Sequence, residues 1–127
     1  VSTKTILIAD DSAAMRAMLV AVVESLGDDC QIVEASSGFE ALRLLPREHV
    51  DLIMTDVNMP DINGLELISY LRNNPNYKNI PVFIISTEGS AKDVEKGRQL
   101  GADEYVVKPF SPVALQQLIS HYLNKVS

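Results

Sequence analysis

The sequence predicts an α/β fold, a five-stranded parallel sheet with helices on both faces. Three observations carry this reading. Five short apolar runs recur along the chain, a helical pattern of apolar residues follows each of them, and four of the five runs are nearly continuous in β-branched and large apolar residues. Continuous runs of that kind suit strands buried on both faces. Alternation of strand and helix argues a parallel sheet, and right-handed crossovers leave only a few topologies open.

The first run, residues 5–9 (TILIA), reads as a strand. Ser12 then caps a helix with Met15, Met18, Leu19, Val22, Val23 and Leu26 on one side, ended by Gly27. Residues 31–35 (QIVEA) form a more mixed strand, suited to an edge, and a short helix over residues 39–45 stops before Pro46. Residues 50–55 (VDLIMT) give the third strand; Leu65, Leu67, Ile68 and Leu71 mark a helix ended by Asn73, Asn74 and Pro75. Residues 81–86 (PVFIIS) give the fourth strand. The helix after it is marked only by Val94 and Leu100, with Gly97 inside, where glycine costs helix stability, and Gly101 after it. Residues 104–108 (EYVVK) complete the set, and Ser111 as N-cap with Pro112 in the first turn opens a last helix carrying Leu115, Leu118, Ile119 and Tyr122 on its apolar face.

Composition narrows the function classes. At 127 residues, 46% hydrophobic and 22% charged, the chain has ordinary globular usage, which excludes disordered and collagen-like classes and fits one domain over residues 1–127. A net charge of −6 repels phosphate backbones and anionic lipid, so neither nucleic acid nor a membrane surface is expected as a direct partner. The single cysteine, Cys30, cannot make an internal disulfide, no apolar run approaches a membrane span, and no signal peptide opens the chain; these fit a cytoplasmic protein. Val1 in place of a start methionine leaves open a trimmed chain or a piece of a longer one.

Open parallel sheets bind ligands beyond the carboxyl ends of their strands. There the chain offers Asp10 and Asp11 after the first strand, Asp56 after the third, Ser86 and Thr87 after the fourth, and Lys108 after the fifth. Each has a plain alternative: helix N-terminal acids, a turn aspartate, capping hydroxyls, a solvated lysine. Their coincidence at strand ends outweighs those readings. Three carboxylates and one ammonium leave −2, and like charges about 4 Å apart repel by roughly 4 kcal/mol per pair at an effective dielectric near 20. Mg²⁺ suits such a site, with one or two carboxylates, waters and incoming phosphate oxygens. A carboxylate beside Mg²⁺ and lysine can accept a phosphoryl group. Elsewhere Cys30, His49, His121, Tyr70 and Tyr77 read as packing or surface residues, and Arg16 as solvated or as a contact for a kinase or phosphatase.

The motifs Ile8-Ala9-Asp10-Asp11-Ser12, Thr55-Asp56-Val57-Asn58-Met59-Pro60 with Gly64, Ile85-Ser86 and Val107-Lys108-Pro109-Phe110 resemble those of the CheY-like receiver domain of bacterial two-component response regulators. The resemblance runs from Thr5 to about Leu123. It implies a flavodoxin-like, doubly wound sheet of order 2-1-3-4-5, with Asp56 as phosphoryl acceptor and Mg²⁺ held by Asp11, Asp56 and the backbone carbonyl of Asn58, and by Asp10 through a water. It further implies that Ser86 and Lys108 contact the phosphoryl group, that the bond to Pro109 is cis, and that Tyr105 is an aromatic switch turning inward when Ser86 moves. By the same resemblance a sensor histidine kinase is the phosphodonor. The target is a protein docking on the face of helix four, strand five and helix five, in chemotaxis or related signalling. The domain is expected to be a monomer, with transient dimers open to it, and to catalyse only its own phosphorylation and dephosphorylation. Asn58 and Glu88 occupy the positions that tune phosphoryl lifetime, implying a short-lived state. Thr87 is larger than the Ala or Gly frequent at its position, and slower reaction with small phosphodonors than in Thr87→Ala is expected.

Other functions fit less well. An aspartyl-intermediate phosphatase commonly has a second Asp two positions after the nucleophile and adds a cap; here that position is Asn58, and 127 residues leave no room for a cap. A flavodoxin-type binder wants a phosphate-cradling loop after strand one, where Asp10 and Asp11 stand, and there is no Trp to stack on a flavin. A receiver cut from a larger regulator or hybrid kinase, or one used as a docking module without phosphorylation, remains open.

Overall fold

A computed structural model describes residues 3–27 and 29–125; Val1 lies outside them. The elements alternate as β1 (Lys4–Ala9), α1 (Ala13–Glu24), β2 (Cys30–Ala35), α2 (Gly38–Leu44), β3 (Leu52–Thr55), α3 (Gly64–Arg72), β4 (Val82–Ser86), α4 (Ala91–Leu100), β5 (Glu104–Val107) and α5 (Pro112–Lys125). All five strands are parallel and lie in the order β2-β1-β3-β4-β5.

The continuous apolar runs are explained by strand parity. Ile6 and Ile8 of β1, with Leu52, Met54, Phe83 and Ile85, face α1 and α5, where Leu19, Val22, Val23, Leu115 and Ile119 meet them. Leu7, Ala9, Ile53 and Ile84 point the other way, onto Ala41, Leu67, Ile68 and Leu71 of α2 and α3. Alternate residues therefore serve two cores, and each large side chain fully buried contributes about 1.5–3 kcal/mol.

Caps set the helix starts. Ser12, Ser37, Ser90 and Ser111 each accept a backbone N–H from the first turn that follows. Asn63 does more, forming a reciprocal box with Glu66 at the head of α3. Gly97 is no accident inside α4: a Cβ there would lie 2.8 Å from Ile84 Cδ1 and 2.9 Å from Tyr105 Cδ2, so glycine lets α4 settle onto the sheet.

Two expectations need correction. β5 is an edge strand, only partly buried, because among the described residues no strand pairs beyond it. Met18 is half exposed rather than part of the apolar side of α1, since α5 covers the neighbouring turn and leaves Met18 at the rim. As expected, the α-helix ends before Pro46; the chain then tightens into a 3₁₀ turn, Leu45–Arg47, whose first positions tolerate a residue without an N–H.

Candidate functional site

The parallel register brings the chemistry together. Ala9 of β1 lies opposite Thr55 of β3, and Thr55 opposite Ile84 of β4. The ladder continues one step past the strands: Asp56 N donates to Ala9 O at 3.0 Å, Asp10 N to Ala35 O at 3.1 Å and Lys108 N to Ser86 O at 2.8 Å. Asp10, Asp56 and Lys108 are thus held at one end of the sheet by backbone hydrogen bonds before any side chain is considered. Gly64 closes the site from below. Its N–H binds Val57 O at 2.9 Å, and a Cβ would sit 2.2 Å from the carbonyl oxygen of Asp56.

Asp10, Asp11 and Asp56 each place a carboxylate oxygen within 4.8 Å of the others. Lys108 Nζ lies 3.3 Å from Asp10 Oδ2 and 3.8 Å from Asp56 Oδ2. The two acids of the pair differ. Asp10 is buried, with Oδ1 accepting from Ser12 N at 2.9 Å and Oδ2 facing Lys108. Asp11 is exposed at the mouth. Asp56 is partly buried, and its Oδ1 accepts from Val57 N at 2.8 Å. Burial pushes its carboxyl above the usual range; Lys108 pulls down, Asp10 pushes up, and the N–H groups of Val57 and Asn58 pull down. The cluster is an oxygen-rich site with too little positive charge, and it fits a hard divalent cation.

Around it, the hydroxyl of Ser86 is fully buried and accepts from Glu88 N at 3.0 Å. The Tyr105 hydroxyl donates to the backbone carbonyl of Glu88. Burial raises the Tyr105 phenol above its ordinary range, the hydrogen bond with Ser86 opposes this, and the carboxylates of Asp93, Glu88 and Asp56 add to it. Asn58 Nδ2 donates to Glu88 Oε1 at 3.1 Å, so the two positions flanking Asp56 bridge the mouth. Thr87 is exposed beyond Ser86. The peptide bond between Lys108 and Pro109 is cis.

Sequence reasoning passed over one residue here, Asp61, and read another, Arg16, as solvated or as a partner contact. Asp61, in the loop after Asp56, caps α2 through Gly38 N at 3.0 Å and Phe39 N at 2.9 Å. Desolvation raises its carboxyl, but the N–H groups of Phe39, Ile62 and Gly38 and the Ser37 hydroxyl outweigh that and hold it at about 2. Arg16 is neither free in solvent nor extended toward a partner. Its Nη1 donates to Asp10 O at 2.6 Å and its Nε to Glu34 Oε1 at 3.3 Å. The only signal in the sequence was a cation one turn after an acidic pair.

Comparison with known proteins decides the family. The response regulator receiver domain model matches residues 6–120.

The chain belongs to that family.

This receiver is 37% identical over 120 residues to the chemotaxis protein CheY homolog of Campylobacter jejuni, covering 94% of this chain and 92% of that protein. It is 35% identical to the probable transcriptional regulator ycf27 of Porphyridium aerugineum, of which it covers 48%. Among solved structures, the chemotaxis response regulator CheY4 of Vibrio cholerae superposes with a TM-score of 0.86 at 30% identity, over 95% of this chain and 99% of that one. The fold and the acidic strand-end cluster are therefore those of a CheY-like receiver. Among the described residues no helix is long and apolar enough to cross a membrane.

Proposed function

We propose that this receiver accepts a phosphoryl group on Asp56 from the phosphohistidine of a sensor kinase, in a Mg²⁺-dependent reaction, and passes the change to a partner protein. The observation that carries the reading is the placement of Lys108 between Asp10 and Asp56 beside a third carboxylate, Asp11. Asp11, Asp56 and the carbonyl of Asn58 would hold the cation, with Asp10 acting through a water. Support for that division is the engagement of both Asp10 oxygens and the exposure of Asp11. Bound there, Mg²⁺ would neutralise phosphoryl oxygens as charge builds.

The protein's own residues supply the rest. A carboxylate oxygen of Asp56 forms the new O–P bond while the P–N bond to the donor imidazole breaks, its electron pair returning to that nitrogen. Lys108 holds a phosphoryl oxygen through its ammonium, and Ser86 offers its hydroxyl. Hydrolysis reverses the gain: water attacks phosphorus, the O–P bond to Asp56 breaks, and inorganic phosphate leaves. The chain catalyses only these two steps on itself. Ser86 Oγ now accepts from Glu88 N; engaging the phosphoryl group would draw the β4–α4 loop with it. Tyr105, bonded to the carbonyl of Glu88, would follow, and the α4-β5-α5 face would change shape. Chemotaxis or related signalling is the process favoured by the relatives. The match to about half of a transcriptional regulator supports a second setting for the same chemistry, as the receiver part of a longer regulator or hybrid kinase.

Intact mass after incubation with Mg²⁺ and acetyl phosphate tests the reading. Wild type should gain one labile phosphoryl group, and Asp56→Ala none. No gain, with no binding of Mg²⁺ or a beryllium fluoride mimic, would instead favour a docking module that works without phosphorylation.

A further inference from the structure

Arg16 is bonded to the acidic site without being part of it. It is the fourth residue of α1, where a cation gains nothing from the helix dipole. Its side chain is only 18% exposed, so it does not serve as a free surface charge. Its Nη1 donates to the carbonyl of Asp10 at 2.6 Å, which is the peptide group joining Asp10 to Asp11. Its Nε is held by Glu34 Oε1 at 3.3 Å, on β2, next to the Ala35 carbonyl that receives Asp10 N.

Asp10 is therefore the residue just past β1 whose N–H is still fixed by the neighbouring strand. Past it the chain must turn into α1, and Asp11 stands exposed in the turn. The Asp10 carboxylate helps through Ser12 N at 2.9 Å. The Arg16 guanidinium holds the carbonyl of the next peptide, the one that leads into Asp11.

We infer that Arg16 is a positioning residue for the divalent cation: by clamping the peptide between Asp10 and Asp11 it aims the Asp11 carboxylate, and this outweighs its own repulsion of the cation. The inference rests on the Mg²⁺ reading of the site. It has a sign that separates it from simple electrostatics. A nearby cation that did nothing else would weaken Mg²⁺ binding, so its removal would tighten it; a clamp lost would loosen it.

The experiment is a calorimetric titration of wild type, Arg16→Gln, Arg16→Lys and Glu34→Gln with Mg²⁺ at one ionic strength, beside urea unfolding of each. Loss of such a supporting contact should raise the Mg²⁺ dissociation constant about tenfold in Arg16→Gln. Arg16→Lys, which keeps the charge and one donor, should fall between that variant and wild type, and Glu34→Gln should weaken binding about twofold because the guanidinium loses its anchor. In phosphorylation by acetyl phosphate the half-saturating Mg²⁺ should rise in Arg16→Gln while the rate at saturating Mg²⁺ is kept. Tighter Mg²⁺ binding in Arg16→Gln, or unchanged binding with only a lower urea midpoint, overturns the inference. Should Arg16→Gln fail to fold, unchanged affinity in both Arg16→Lys and Glu34→Gln overturns it equally. A wild type that takes up no Mg²⁺ defeats the reading of the site itself, and the inference with it.

Discussion

The two ends of the sheet carry the same kinds of side chain and use them in opposite ways. At the N-terminal end, the Arg72 guanidinium binds Gly101 O at 2.8 and 3.1 Å, Lys78 O at 3.0 Å, Ile80 O at 2.8 Å and Asp103 Oδ2 at 2.9 Å. Asp103 Oδ2 in turn accepts Val82 N at 2.8 Å, at the first residue of β4. There charge is balanced and the donors converge on fixed acceptors. At the C-terminal end, three carboxylates share one lysine, and Asp11 is left facing solvent. One end is closed by its own residues; the other is left short of positive charge. Stability belongs to the first, and the capacity to take a cation and a phosphoryl group to the second.

The sharpest way to break this comparison is at Arg72. Arg72→Ala removes the donors that tie the end of α3 to the loops before β4 and β5, and leaves Asp103 without its cation. Hydrogen bonds to charged groups of this kind are worth about 1.5–3 kcal/mol, and partial exposure of the pair keeps the total near the same size, so a loss of about 2–3 kcal/mol is expected. Urea unfolding measures it. Phosphoryl uptake by the folded fraction should persist, because the acidic cluster lies at the far end.

The open end should respond with the opposite sign. Asp11→Asn removes one of three mutually repelling carboxylates, and in Mg²⁺-free buffer the variant should be more stable than wild type by about 0.5 kcal/mol, the small scale of an exposed charge. Saturating Mg²⁺ should raise the melting temperature of wild type by mass action and leave Asp11→Asn nearly unmoved. Thermal unfolding of both proteins with and without Mg²⁺ checks both statements. A variant less stable than wild type without Mg²⁺ would mean that this end, too, is held together by its acids.

How much of this was legible in the sequence follows from the same contrast. Asp10, Asp11, Asp56 and Lys108 announced themselves because a parallel sheet must bring strand ends together, so residue type and position at the carboxyl end of a strand were enough. The bonds made by Arg16, Asp61 and Arg72 were not visible. Each reaches a backbone group or an acid far along the chain, and a sequence shows that a charge needs partners without showing which. Gly97 looked like a flaw in α4 because its reason, the ring of Tyr105 and the tip of Ile84, lies on two other strands. β5 read as a buried strand because its own residues are apolar; only the order of the strands makes it an edge.

Asp61 sharpens the comparison, since it stands at the open end yet is closed in the manner of Asp103. Its carboxylate is held at about 2 by backbone donors at the head of α2, below the roughly 3.9 of an unfolded aspartate. A depressed carboxyl contributes stability that is fully present above the unfolded value and is lost as pH falls through the folded one. Asp61→Asn keeps one acceptor oxygen but loses the charge at the helix N-terminus, so its urea midpoint at neutral pH should fall only slightly below that of wild type. That gap should stay constant above about pH 5 and close between about pH 4 and pH 2, as the wild-type carboxylate takes up its proton. Urea midpoints of the two proteins across this range decide it. A gap that does not change with pH would mean that the cap acts through hydrogen-bond geometry alone, and that Asp61 owes nothing to the charge that distinguishes it from the asparagine in its place.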